Sequence, residues 1–169
     1  MAAAIPGRMT HDYDGELVVF LIGMRVNKPW RPDQWLPVFN AMPRMLAELS
    51  RDPESGFLGY RIALEAGGPL LVQYWSSAEK LDAYASAAGA SHRPAWTRFN
   101  QLARRAPGAV GIWHETYLVD RAETIYSGMP PSGLAKATRS VPVARRGERS
   151  RERLAAGRAA APEAPILSA

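Results

Sequence analysis

The stretch GIWHETYLV, residues 111–119, sets an imidazole and a carboxylate side by side inside a run of strand-forming residues. A proton acceptor beside a charged group is what general acid–base chemistry uses. In a strand, however, neighbouring side chains point to opposite faces. Ile112, His114, Thr116 and Leu118 share one face, and Trp113, Glu115, Tyr117 and Val119 share the other. His114 and Glu115 are therefore expected to do different jobs unless a bulge intervenes. If the His114 face meets helices, His114 is the best base candidate, because an unperturbed imidazole titrates near pH ~6.5. The competing expectation is a buried neutral imidazole bonded to a backbone carbonyl. Glu115 then belongs to an interface or second face, paired with an arginine across a dimer.

His92, Trp96 and Asn100 follow one another at i, i+4 and i+8, which places them on one helix face. His92 is the second base candidate, with Trp96 and Asn100 as substrate contacts. The alternative is a partly exposed first-turn His92 with Trp96 and Phe99 as core anchors. Tyr74, Trp113 and Tyr117 are candidate walls of an aromatic pocket, and the two phenols can bond a substrate oxygen. Core packing is the alternative for each. His11 is expected in solvent. With no HxH or HxxxH spacing, no metal site is expected. Met129-Pro130-Pro131 is either a stiff lid or the end of the domain.

Elements must position these residues. ELVVFLIGMRV (16–26) reads as a strand apolar on both faces, with Phe20, Ile22 and Met24 on one and Val19 and Leu21 on the other. The spacing of Trp35, Val38, Phe39, Met42, Met45, Leu46 and Leu49 predicts a helix over 31–52, which Pro43 should kink or split. Residues 57–65 and 69–76 flank Ala66-Gly67-Gly68 as a hairpin. A helix follows, with Ser76 and Glu79 as a capping box and Gly89 as its stop. A further helix over 92–106 and a strand over 109–120 come next, and 122–127 is a possible extra strand. The order β-α-β-β-α-β is that of an α+β ferredoxin-like sandwich, an antiparallel sheet with helices on one face. The other face is apolar and has no helix left to cover it. A second copy is the economical cover, giving a homodimeric α+β barrel.

The domain is expected over 16–137, after a flexible lead at 1–15. The net charge of +5 does not belong to that domain. Residues 1–133 carry 13 basic and 13 acidic groups; residues 134–169 carry 8 and 3. The Ala/Arg/Pro-rich segment 138–169 is expected to be a disordered tail, with a weak helix possible near 149–158. Hence no nucleic-acid partner is expected. No apolar run approaches the ~20 residues of a membrane span, so neither a membrane partner nor a signal segment is expected. The chain has no cysteine. Thiolate chemistry and disulfides are excluded, in keeping with a reducing cytoplasm.

LPVFNAMPRML (36–46), VQYWSSAEKLDAYA (72–85), HRPAWTRFN (92–100), VGIWHETYLV (110–119) and ETIYSGMPPSGLAKA (123–137) together resemble the fumagillin-pathway monooxygenase-like group of the antibiotic-biosynthesis-monooxygenase superfamily. The resemblance implies a dimeric α+β barrel. It also implies an enzyme that oxidises an apolar aromatic or polyketide-type molecule with O₂ and no cofactor, its pocket between sheet and helices. The chain has neither a GxGxxG after a strand nor a P-loop, which fits. ETIYSGMPPSGL also resembles part of the haem-containing aldoxime dehydratases, so a haem enzyme of the same fold is an alternative. A non-catalytic small-ligand-binding protein is another.

Overall fold

The computed structural model describes residues 3–87 and 92–156, excluding the side chain of His92. The doubly apolar run forms strand β2 (Val18–Val26), after a first strand β1 (Ile5–Asp12). Helix α1 (Pro32–Leu49) leads to the hairpin of β3 (Phe57–Glu65) and β4 (Gly68–Trp75). Helices α2 (Ala78–Ser86) and α3 (His92–Arg105) then lead to β5 (Val110–Leu118). The main sheet has the order β3-β4-β2-β5 with every pairing antiparallel. This is the ferredoxin-like α+β sandwich that the patterning predicts. Among the described residues, no helix is long and apolar enough to cross a membrane.

Each sheet face has its own core. On the helix side Val18 and Trp75 are fully buried against Leu49, which anchors the end of α1. Trp75 Nε1 donates to Gln73 Oε1 at 3.0 Å, satisfying both buried polar groups. On the far side Leu17, Val72 and Tyr74 pack with Leu134. Local details differ from the sequence reading. Pro43 neither splits nor ends α1, because the apolar stripe through Leu46 and Leu49 is buried beyond it. The cap of α2 is Ser77, one residue later than expected; its Oγ accepts from the Lys80 amide at 3.1 Å. Gly89 lies outside the described residues.

The larger corrections concern the two ends. Residues 5–12 are not a flexible lead: β1 is the centre of a second sheet, between β6 (Tyr126–Met129) and β7 (Arg139–Pro142). Gly133–Ala137 forms a short helix α4. It covers part of the far sheet face that had seemed to have no cover within the chain. The approach is close: a Cβ on Gly59 would sit 3.0 Å from the Ala137 Cβ. The segment after 138 is ordered as far as Ala156, through β7, a turn of 3-10 helix at Val143–Arg145 and helix α5 (Ser150–Ala156). Residues 157–169 lie outside the described residues.

Charge pairing explains why a segment so poor in large apolar groups is ordered. Arg146 Nη1 meets Asp12 and Asp14, each at 2.9 Å, and Arg139 also pairs with Asp12. Arg153 is 6% exposed and its Nε donates to Glu123 at 2.7 Å. Arg8 pairs with Glu148. The basic excess of the C-terminal segment is thus spent in part on carboxylates nearer the N-terminus. Val141 and Val143 add a small buried apolar contact.

His11 lies beneath this cluster. It is 4% exposed, not in solvent as expected, with Nδ1 3.0 Å from Thr124 Oγ1. Burial first, and Arg146 second, push its pKa below the ordinary 6.5; Asp12, Glu123 and Asp14 oppose them. A depressed histidine pKa means that the unfolded chain takes up the proton more readily. The stabilisation from neutral His11 is therefore complete above about pH 6.5 and is lost as the pH falls from there toward the folded-state value. Thermal melts at pH 8 and pH 5 should show a drop in Tm in acid that shrinks in His11→Gln; an equal drop in both proteins would refute this assignment.

Candidate functional site

The β2–β5 register decides where His114 points. Ile22 is opposite both His114 and Leu71, and Leu71 is opposite Ile62, so these four residues form a row across the sheet. Thr116, Phe20, Gln73 and Tyr60 form the next row. Between this face and the helices lies a cavity of about 1150 Å³. Phe20, Ile22, Met24, Leu71 and Ile112 make its floor. Phe39, Met42, Met45 and Leu46 of α1, Leu81 of α2, and Trp96 and Phe99 of α3 make its roof. The Trp96 and Phe99 rings are stacked with centroids 5.4 Å apart.

A few polar groups enter this apolar space. His114 and Thr116 stand on β5, an edge strand, and Tyr60 on β3, the opposite edge. Asp82 and Ser86 come from α2 and Arg93 from the first turn of α3. His114 is therefore not the buried, carbonyl-bonded imidazole of the competing expectation. It is exposed to the cavity, its ring 5.6 Å from that of Phe20. An imidazole facing an apolar pocket can accept a proton from a bound molecule and hold it as imidazolium.

The other predicted residues divide. Glu115 lies on the far face, as strand parity requires, and accepts a 2.6 Å hydrogen bond from Tyr117. That bond raises the Tyr117 pKa. Trp96 lines the cavity, whereas Asn100 is not among its lining residues; the helix face runs through Phe99 instead. The side chain of His92 lies outside the described residues. Tyr74, Trp113 and Tyr117 are not walls of this cavity. Tyr74 is buried in the far-side core, and burial raises its pKa. Trp113 lies across Gly23, where an added Cβ would come within 2.3 Å of the indole. Their odd parity relative to His114 and Leu71 was the available signal. Met129-Pro130-Pro131 belongs to the second sheet and its exit, not to the cavity mouth. No three His, Asp or Glu side chains are grouped to hold a metal among the described residues. The sequence reading passed over Arg93, Asp82 and Tyr60. Arg93 was detectable, since Arg93, Trp96 and Phe99 recur every third residue.

A family model described as monooxygenase af470-like matches residues 17–134, from β2, part of the cavity floor, to the start of α4 on the far sheet face. The chain belongs to that family. This places it with monooxygenase-type oxidoreductases. No curated protein sequence matches it. Among solved structures it is similar to SnoaB, a cofactor-independent oxygenase from Streptomyces nogalater, at 14% identity and a TM-score of 0.46, over 63% of this chain and 96% of that one. It is also similar to a dimeric ferredoxin-like protein from Thermobifida fusca, at 16% identity and a TM-score of 0.44, over 64% and 95%. The af470-like family match takes in every strand of the main sheet and all the cavity-lining helices.

Ile22 occupies the middle of the cavity floor. Overpacking a filled core typically costs about 1–3 kcal/mol, but here the space to receive a larger side chain already exists. Ile22→Trp should melt near the wild-type temperature while Nile red, an apolar dye brightened by wild-type protein, loses several-fold in fluorescence. Unchanged dye binding would show that the dye, and the apolar site, lie elsewhere.

Proposed function

We propose that this chain is a small cofactor-independent monooxygenase that oxidises an apolar aromatic or polyketide-type molecule with O₂, with His114 as the base. One observation carries the proposal: His114 projects from β5 into the large apolar cavity between sheet and helices. Of the two histidines whose side chains are described, His11 is buried in the other sheet.

The chemistry asks little of the protein. His114 takes a proton from an acidic phenol or enol, leaving an electron-rich anion. That anion gives electrons to O₂ and forms a carbon–oxygen bond as a peroxide. Loss of water leaves a carbonyl, so a CH₂ group and O₂ become C=O and H₂O with no external reductant. An apolar wall of Phe20, Phe39, Trp96 and Phe99 suits such a substrate.

The working unit is a homodimer formed through the far sheet face. Beyond the cover of α4 that face still exposes Glu115 and Tyr117 on one edge strand and Arg61 on the other. Opposite charges at the two edges are self-complementary under a two-fold axis. Scattering should give twice the 18.5 kDa chain mass; a stable monomer would remove the dimer from the proposal.

With a panel of enolic and phenolic substrates, His114→Ala should abolish O₂ consumption while its melting temperature stays near wild type. His114 is exposed, so a large loss of stability would mark it as structural instead. Purified protein should show no Soret band after dialysis; a persistent one would overturn the cofactor-free mechanism in favour of a haem enzyme.

A further inference from the structure

Proton removal by His114 leaves a negative charge on the substrate, and an apolar cavity is a poor place for a bare anion. Among the described residues, the charged groups lining the cavity are His114 itself, when protonated, Asp82 and Arg93, with Tyr60 as a further titratable group. Asp82 would repel an oxyanion. Tyr60 stands on the opposite edge strand from His114. Arg93 is the cation.

Its position follows from the path of the chain. The end of α3 turns through buried Ala106 and Ala109 directly into β5. From Arg105 back to Arg93 is about 18 Å at the helical rise, and from Val110 on to Thr116 is about 20 Å at the strand rise. Arg93 thus stands at the end of α3 remote from that turn, and it lines the same cavity as His114 and Thr116. Trp96 and Phe99 line the roof on the same helix face. Little holds the guanidinium back: it is exposed, and its Nη2 donates to the Ser86 carbonyl at 3.4 Å, a long contact. No carboxylate pairs with it among the described residues.

We infer that Arg93 is the oxyanion-binding residue of the cavity, its guanidinium holding the phenolate or enolate oxygen formed when His114 accepts the substrate's proton. The inference rests on the reading of the cavity as the site of oxidation. It also narrows the substrate class: the acidic hydroxyl sits at the end of the molecule that enters beneath the start of α3, and the apolar body extends over Ile22 and Leu71. A planar guanidinium suits a phenolate whose neighbouring carbonyl shares the charge, because its fork can donate to both oxygens at once.

Alizarin, an apolar tricyclic dye with a phenol beside a carbonyl and a visible colour change on ionisation, is a direct probe. Titrated on wild-type protein, the bound dye should ionise at a pH lower by about one unit or more than on Arg93→Gln, a tenfold difference in the ionisation constant. Arg93→Lys should fall between, keeping the charge but not the fork. His114→Gln should retain the Arg93-dependent shift. Equal ionisation on wild type and Arg93→Gln overturns the inference, as does failure of wild-type protein to bind the dye. The result is separable from the base assignment. If His114→Ala still consumes O₂, the base is wrong, yet the dye shift still reports on Arg93.

Discussion

The register between β2 and β5 is the constraint on which the rest depends. Ile22 stands opposite His114 and Leu21 opposite Glu115. A slip of one residue would turn every side chain of β5 over. His114 would then leave the cavity and Glu115 would enter it. What holds the register is apolar burial on both faces of β2. Val18 is sealed against Trp75 and Leu49 on one side, while Val19 and Leu21 pack around Leu17, Val72 and Tyr74 on the other. A sheet solvated on one side would hold that choice less firmly. The placement of His114 in the cavity is therefore set by residues that do not line it.

Much of the main sheet was legible because period-two and helical patterning are local. The apolar run over 16–26, the Ala66-Gly67-Gly68 turn and the helical spacing after Pro32 each name an element without tertiary knowledge. Parity alone separated His114 from Glu115. The same rule, applied to Tyr74, Trp113 and Tyr117, would have kept them out of the cavity. They were grouped by aromatic type rather than by the face they share.

The terminal segments were not legible in the same way. Their order comes from Arg139, Arg146 and Arg153 meeting Asp12, Asp14 and Glu123, pairs separated by 30 to 134 positions. Composition sees an arginine-rich segment poor in large side chains; it does not see the carboxylates waiting across the fold. Buried or half-buried pairs can hold such a segment because water screens them weakly. The helix α4 rides on this arrangement, between β6 and β7. So the cover over the far sheet face is linked to charge pairs at the chain's two ends. His11 escaped for the same reason, since only the folded second sheet shields it.

The two edge strands give the cavity a built-in ruler. His114 and Thr116 stand on β5 and Tyr60 on β3, with β2 and β4 between them. Strands lie about 4.8 Å apart, so the backbones bearing these polar groups are roughly 14 Å from each other. The floor carries polar groups at both borders, beside Ile112 on one and Ile62 on the other, and is apolar across the middle. A molecule of one or two rings meets one border at a time; a molecule three or four fused rings long lies across the whole sheet and meets both. The number of strands, rather than any single side chain, thus sets the length of molecule that can be held at both ends.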